Sequence, residues 1–334
     1  MAIELVSSDV QALLAASDAE LRRLPVENVE EICAEDSGPA DERLWPPELE
    51  RLFSYSDPAV KRTLHWMTEI YYGELMRADG GDDFWRLSAL AYTRVVRLRL
   101  GYDETMGHRR ADSLFVRRAV DLALPHKGRQ SVRVLDVGCG TGELLADLAS
   151  FGFTALEGID VSRAAIARAA TRLLATHASV RCMSLRRLID EPRIEAYDVV
   201  TLCDVLEHLP RRDAPHILRK LGRLLAPGGL LVIATPSAHT GPHDLDFLPR
   251  GCGIGGLHLH EYGTRELCAI LREAGYDSPR SSLLAPSERL SLRPTEAAVR
   301  AKKVIEPLVG RLPDPIAAWT TERLYFRGVV CRRT

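Results

Sequence analysis

No apolar run in this 334-residue chain reaches the roughly 18–20 residues that a membrane-spanning helix needs, so a helical membrane protein is not expected. No basic segment followed by an apolar stretch opens the sequence, and no secretory leader is read there. The seven cysteines form no CxxC pair and show no spacing pattern. That pattern argues against a disulfide scaffold or a zinc module and for reduced thiols in a cytoplasmic protein. Basic residues are not in excess: 44 Lys and Arg stand against 46 Asp and Glu, for a net charge of −2. A nucleic-acid partner usually leaves a basic footprint, so none is expected. Internal repeats and low-complexity stretches are also missing. The acids are unevenly placed, with fourteen Asp or Glu against four Arg in residues 1–60. Residues 27–42 read there as a solvated loop.

Hydrophobic content of 46% is ample for a core, and the most telling use of it is the run Val134-Leu135-Asp136-Val137-Gly138-Cys139-Gly140-Thr141-Gly142. This reads as a buried parallel strand that breaks into a glycine turn and opens a helix. Glycines at every second position let the backbone curve and approach a ligand without Cβ interference. The N–H groups of the helix that follows face whatever lies above the turn. Eighteen residues past Gly142, a second strand ends in Asp160, followed by Val161 and the helix cap Ser162. A glycine turn with an acid about twenty residues on is ribose-binding chemistry, because a carboxylate accepts from both hydroxyls.

The spacing is GxGxG, and D-x-G-C-G-T-G resembles motif I of the class I S-adenosylmethionine-dependent methyltransferases. Three further segments are similar to that family in the same order. These are the strand at Val199–Leu202 opened by Asp198, the turn and strand LAPGGLLVIATPS, and the helix Thr264–Gly275 with a Thr cap. Apolar residues at helical spacing in 213–225 supply the helix between strands four and five. The resemblance covers about residues 112–290. It implies an α/β fold: a Rossmann-like, doubly wound, seven-stranded sheet with an antiparallel last strand, for which Arg323–Arg332 is the candidate. It also implies a methyltransferase domain over residues 111–334. Residues 1–110 form a helical lid region, with amphipathic helices at Ala59–Met76 and Phe84–Leu100 and a candidate aromatic pocket wall of Trp66, Tyr71, Tyr72, Phe84, Trp85 and Tyr92. A last helix is read from Thr295 to near Pro313, and Arg327, Arg332 and Arg333 are read as guards of an exposed sheet edge.

The resemblance makes S-adenosylmethionine the cofactor. Asp136, Gly138, Cys139, Gly140 and Gly142 would hold its methionine end, with Cys139 a small filler in the turn. Asp160 and Val161 would take the ribose, and Ser184 or Leu185 the adenine, where many members have Asp or Asn. Asp204 would close the donor site at the end of the fourth strand. Methyl transfer to a hydroxyl also needs a proton acceptor. His208 in Asp204-Val205-Leu206-Glu207-His208 is the first candidate base, and His258 or His260 in His258-Leu259-His260-Glu261-Tyr262 the second. The expected activity is O-methylation of a small molecule in a natural-product or quinone-like biosynthetic pathway, without a metal and with a homo-oligomer possible. Two other readings stand beside it. Asp204, Glu207, His208 and His258 or His260 resemble the metal site of the small-RNA 3′-terminal ribose 2′-O-methyltransferases. An intact cofactor site also suits a catalytically silent partner subunit.

Overall fold

The computed structural model describes residues 110–161, 163–190, 192, 194–239, 260–289 and 293–334. The lid helices, their aromatic residues and His258 lie outside them. The elements are α1 (Arg110–Ala123), β1 (Arg133–Val137), α2 (Glu143–Ser150), β2 (Ala155–Asp160), α3 (Arg163–Arg172), β3 (Ser179–Cys182) and α4 (Leu185–Asp190). Then come β4 (Tyr197–Cys203), α5 (Ala214–Leu224), β5 (Leu225–Ala234), α6 (Thr264–Glu273), α7 (Glu296–Val309), α8 (Asp314–Leu324) and β6 (Gly328–Arg332). Among the described residues none of the helices is long and apolar enough to cross a membrane.

The strands lie in the order β3-β2-β1-β4-β5-β6, the first five parallel and β6 antiparallel to β5. The alternation of side chains along buried strands divides the core. Leu135, Val137, Val200, Leu202, Leu231 and Ile233 pack on one face against α5 and α6. Val134, Val199, Leu230 and Val232 pack on the other with Phe115, Val116, Leu145 and Leu148 of α1 and α2. The chain winds outward from β1 to β3, then returns to place β4 on the other side of β1. This leaves a crevice beyond the carboxyl ends of β1 and β4, where open α/β sheets bind ligands. At the opposite end of the sheet, Asp198 accepts from Lys127 Nζ at 2.7 Å and from Arg133 Nη2 at 3.1 Å. Burial pushes this carboxyl up, but the hydrogen bonds from Arg133 and Lys127 prevail and hold it at about 2.

Four expectations are corrected. The sheet has six strands among the described residues, where seven were expected. After α6 the chain makes only isolated bridges to the closing strand, Tyr276 with Arg333 and Arg280 with Val330. Between them the Asp277 carboxylate takes the Arg332 N–H at 2.7 Å in place of a backbone acceptor, which breaks the ladder. The closing strand begins at Gly328 rather than Arg323, because α8 runs to Leu324 and Tyr325 turns the backbone left-handed at φ 46°. Helix α6 is capped by Gly263, with Thr264 already in its first turn; the Thr264 N–H goes to Glu306 at 2.8 Å. Arg327 is no edge guard: it is buried and ion-paired. Nor do the other two arginines stand free at the edge, since Arg332 donates to the Ala123 carbonyl and Arg333 to that of Leu225.

Candidate functional site

The glycine turn is fastened by its own backbone. Gly138 and Cys139 both donate to the Ile159 carbonyl, at 2.8 and 2.9 Å, and Gly142 donates to Cys139 at 2.9 Å. Gly138, Gly140 and Gly142 all have left-handed φ, at 72°, 53° and 84°. Their reasons differ. A Cβ on Gly138 would lie 2.4 Å from Val205 Cγ2, so this glycine lets β1 and the β4 loop approach. Above Gly140 nothing lies within 4 Å, so the turn leaves open space there for a ligand. The Gly140 N–H donates at 3.0 Å to Asp160 Oδ2 and thereby sets the carboxylate at the end of β2.

Cys139 is buried against Gly158, where a Cβ would come within 2.9 Å of its sulfur. Burial, with Asp136 and Asp160 nearby, pushes its thiol well up, which suits a filler and not a nucleophile. Asp136 is 2% exposed and accepts from Thr201 Oγ1 at 2.6 Å. Burial raises its carboxyl to about 7; the Thr201 hydrogen bond opposes that shift, and Asp160 and Glu143 add to it.

A cavity of about 120 Å³ opens beyond the strand ends. Gly138, Asp160 and Val161 line it together with the apolar side chains of Met183 and Leu185. Ser184 is not among the lining residues: its Oγ accepts from the Arg187 N–H at 3.2 Å and caps α4. Met183 also lines the cavity, and no sequence motif singles it out. Its N–H donates to the Asp160 carbonyl at 2.8 Å, which places it beside the acid.

The same cavity is lined on its other side by Asp204, Val205, His208 and Leu209. Asp204 leaves β4 in a left-handed turn, φ 54°, with its N–H on the Ala234 carbonyl at 2.8 Å. Arg327 Nη2 donates to both its carboxylate oxygens, at 2.7 and 2.8 Å. A one-turn 3₁₀ segment, Leu206–His208, then sends neighbouring side chains opposite ways. Glu207 is fully buried and accepts from Thr235 Oγ1 at 2.8 Å, whereas His208 faces the cavity. His260 is tied to this turn through its N–H, which donates to the Glu207 carbonyl at 3.1 Å. Its ring meets both Glu266 oxygens at 3.0 Å and stacks edge-on to Tyr262. Asp204 and His208 therefore share the cavity, while Glu207 turns into the core and His260 toward Glu266. Among the described residues no group of three His, Cys, Asp or Glu is placed to hold a metal ion.

A doubly wound parallel sheet with an antiparallel closing strand, a GxGxG turn and an acid at the end of β2 defines a class I methyltransferase. A family model described as a methyltransferase domain matches residues 106–278, just over half the chain, and the chain belongs to that family; its cofactor is S-adenosylmethionine. The chain is 35% identical over 134 residues to a ubiquinone biosynthesis O-methyltransferase of Pseudomonas savastanoi pv. phaseolicola, a match covering 37% of this chain and 56% of that protein. To the Thiobacillus denitrificans ubiquinone biosynthesis O-methyltransferase it is 31% identical over 178 residues, covering 48% and 70%. It thus spans little more than half the length of the first of these relatives. Among solved structures, a SAM dependent methyltransferase from Archaeoglobus fulgidus is similar, with a TM-score of 0.45 and 17% identity over 70% of this chain and 98% of that one.

Proposed function

We propose that the protein methylates a hydroxyl of a small molecule in a biosynthetic pathway, with a quinone-like or natural-product phenol as the acceptor class. One observation carries the reading: a single cavity has the donor-side residues Asp160, Met183 and Leu185 on one wall and His208 on the other. Bound S-adenosylmethionine supplies an activated methyl on its sulfonium sulfur. Asp160 would receive the ribose hydroxyls, Met183 and Leu185 would flank the adenine, and the open backbone above Gly140 would admit the methionine end. His208 would hold the proton of an acceptor hydroxyl placed in the cavity, and Leu209 and Val205 would keep that space apolar. The relatives named for ubiquinone biosynthesis support oxygen as the methylated atom.

The test is turnover of a catechol or hydroxyquinol panel with labelled S-adenosylmethionine. His208→Ala is expected to lower the rate by about 10² to 10⁴ with cofactor affinity nearly unchanged, since a base acts on the acceptor. Wild-type turnover in the mutant would remove His208 from the chemistry. Activity is expected to survive exhaustive chelation with EDTA; loss restored by a divalent ion would instead favour a metal-assisted hydroxyl acceptor. Tight cofactor binding with no acceptor ever labelled would identify a silent subunit.

A further inference from the structure

Arg327 is only 7% exposed, and its Nε is buried without a hydrogen-bond partner among the described residues. The guanidinium joins two carboxylates. Nη2 bridges both oxygens of Asp204 and lies 3.4 Å from Oδ2 of Asp112, which is 2% exposed and also accepts from Tyr325 Oη at 2.7 Å. Burial pushes the guanidinium down, but Asp204 and Asp112 outweigh it, so Arg327 stays charged. Burying a charge with one donor unsatisfied is costly, and buried ion pairs give little net stability. Asp204, by contrast, keeps 44% of its side chain exposed at the cavity. It also sits in a left-handed backbone conformation that asparagine, aspartate and glycine tolerate but that still carries strain.

We infer that Arg327 is a positioning residue for the donor pocket: from the start of β6 it fixes the Asp204 carboxylate at the cavity wall, where that charge faces the cationic cofactor. This rests on the assignment of the cavity to S-adenosylmethionine. Asp112 holds Arg327 from behind, so that the guanidinium stands between two carboxylates and only Asp204 faces the cavity. Lysine is a poor replacement: all three contacts are made by the terminal Nη2, and a lysine ammonium sits one bond shorter on a flexible stem without the rigid guanidinium plane.

The experiment is calorimetric titration of the full chain with S-adenosylmethionine, with thermal melts, for wild type, R327K, R327M, D204N and the R327M/D204N double variant. D204N and R327M should each weaken binding about tenfold, and the double variant should bind no worse than D204N alone. R327K should lose several-fold in affinity while melting close to wild type. Losses that multiply in the double variant, or an R327K protein with wild-type affinity, would overturn the proposal. If R327M does not fold, R327K and D204N still decide it, since wild-type affinity in either one contradicts it. Failure of the wild-type protein itself to bind S-adenosylmethionine would overturn the pocket assignment and the positioning role with it.

Discussion

The two walls of the cavity are built by different means. On the β1–β2 side the partners are main-chain groups: Gly138 and Cys139 on the Ile159 carbonyl, Gly140 on Asp160, Met183 on the Asp160 carbonyl. On the β4–β6 side they are side chains: Arg327 with Asp204, Thr235 with Glu207, and Glu266 with His260 and Arg211. A backbone-built wall tolerates little change where glycine is required, but its geometry is the same whatever the side chains are. A wall built of side-chain pairs can be re-cut by substitution. The first suits an invariant ligand such as the cofactor; the second, beyond the Asp204–Arg327 pair at its cofactor edge, suits an acceptor that differs from one enzyme to the next.

Substitutions sharpen this contrast. Gly138→Ala should have the largest effect. It forces a Cβ into Val205 at 2.4 Å in a left-handed conformation, and overpacking together with strain should cost roughly 2–5 kcal/mol. Denaturant unfolding should show it, and a wild-type midpoint would contradict the close approach of the two walls. Asp160→Ala should leave stability nearly intact but weaken cofactor binding at least tenfold, because each charge-assisted hydrogen bond is worth about 1.5–3 kcal/mol. Titration calorimetry on the folded variant decides it.

Thr235→Val removes the donor to a buried carboxylate and should cost about 1–3 kcal/mol, with cofactor affinity unchanged. A fall in affinity instead would mean that the two walls are not separable. Asp136 gives a pH signature. Its folded value near 7 lies above the ordinary 3.8, so the native state holds its proton where the unfolded chain has lost it. The resulting stability is complete below about pH 4 and lost as pH rises through about 7, at ~1.4 kcal/mol per unit. Asp136→Asn should flatten that decline between pH 4 and 7 in denaturant melts, and an unchanged slope would show that Asp136 is not its source. Gly140→Ala should cost less stability than Gly138→Ala, about 1–2 kcal/mol of backbone strain, since nothing lies near its Cβ. Its weight should fall on cofactor binding instead.

The backbone-built wall was legible in the sequence because its parts are contiguous. Three glycines, the strand before them and an acid eighteen residues later mark the turn and the carboxylate proposed for the ribose without any knowledge of distant partners. Of the two residues read for the adenine contact, Leu185 lines the cavity, while Ser184 caps the helix that follows, as a short polar side chain at a helix start does. The side-chain wall was far less readable. Arg327 meets Asp204 across 123 positions and Asp112 across 215, and no local pattern encodes such pairs. One signal was present: a lone charge inside the apolar run Leu324-Tyr325-Phe326-Arg327-Gly328-Val329-Val330 is more easily explained by a buried partner than by solvent.

The long reach of Arg327 bears on the order in which the molecule is made. The glycine turn, Asp160 and Met183 need only the first few αβ units, whose contacts are local and close early. Asp204 waits for a strand synthesised more than a hundred residues later. On the ribosome, then, the cofactor's cradle should take shape while the opposite wall is still without its anchoring charge. Methyl-donor binding at full strength would begin only when β6 has joined the sheet, making cofactor retention a report on completed folding.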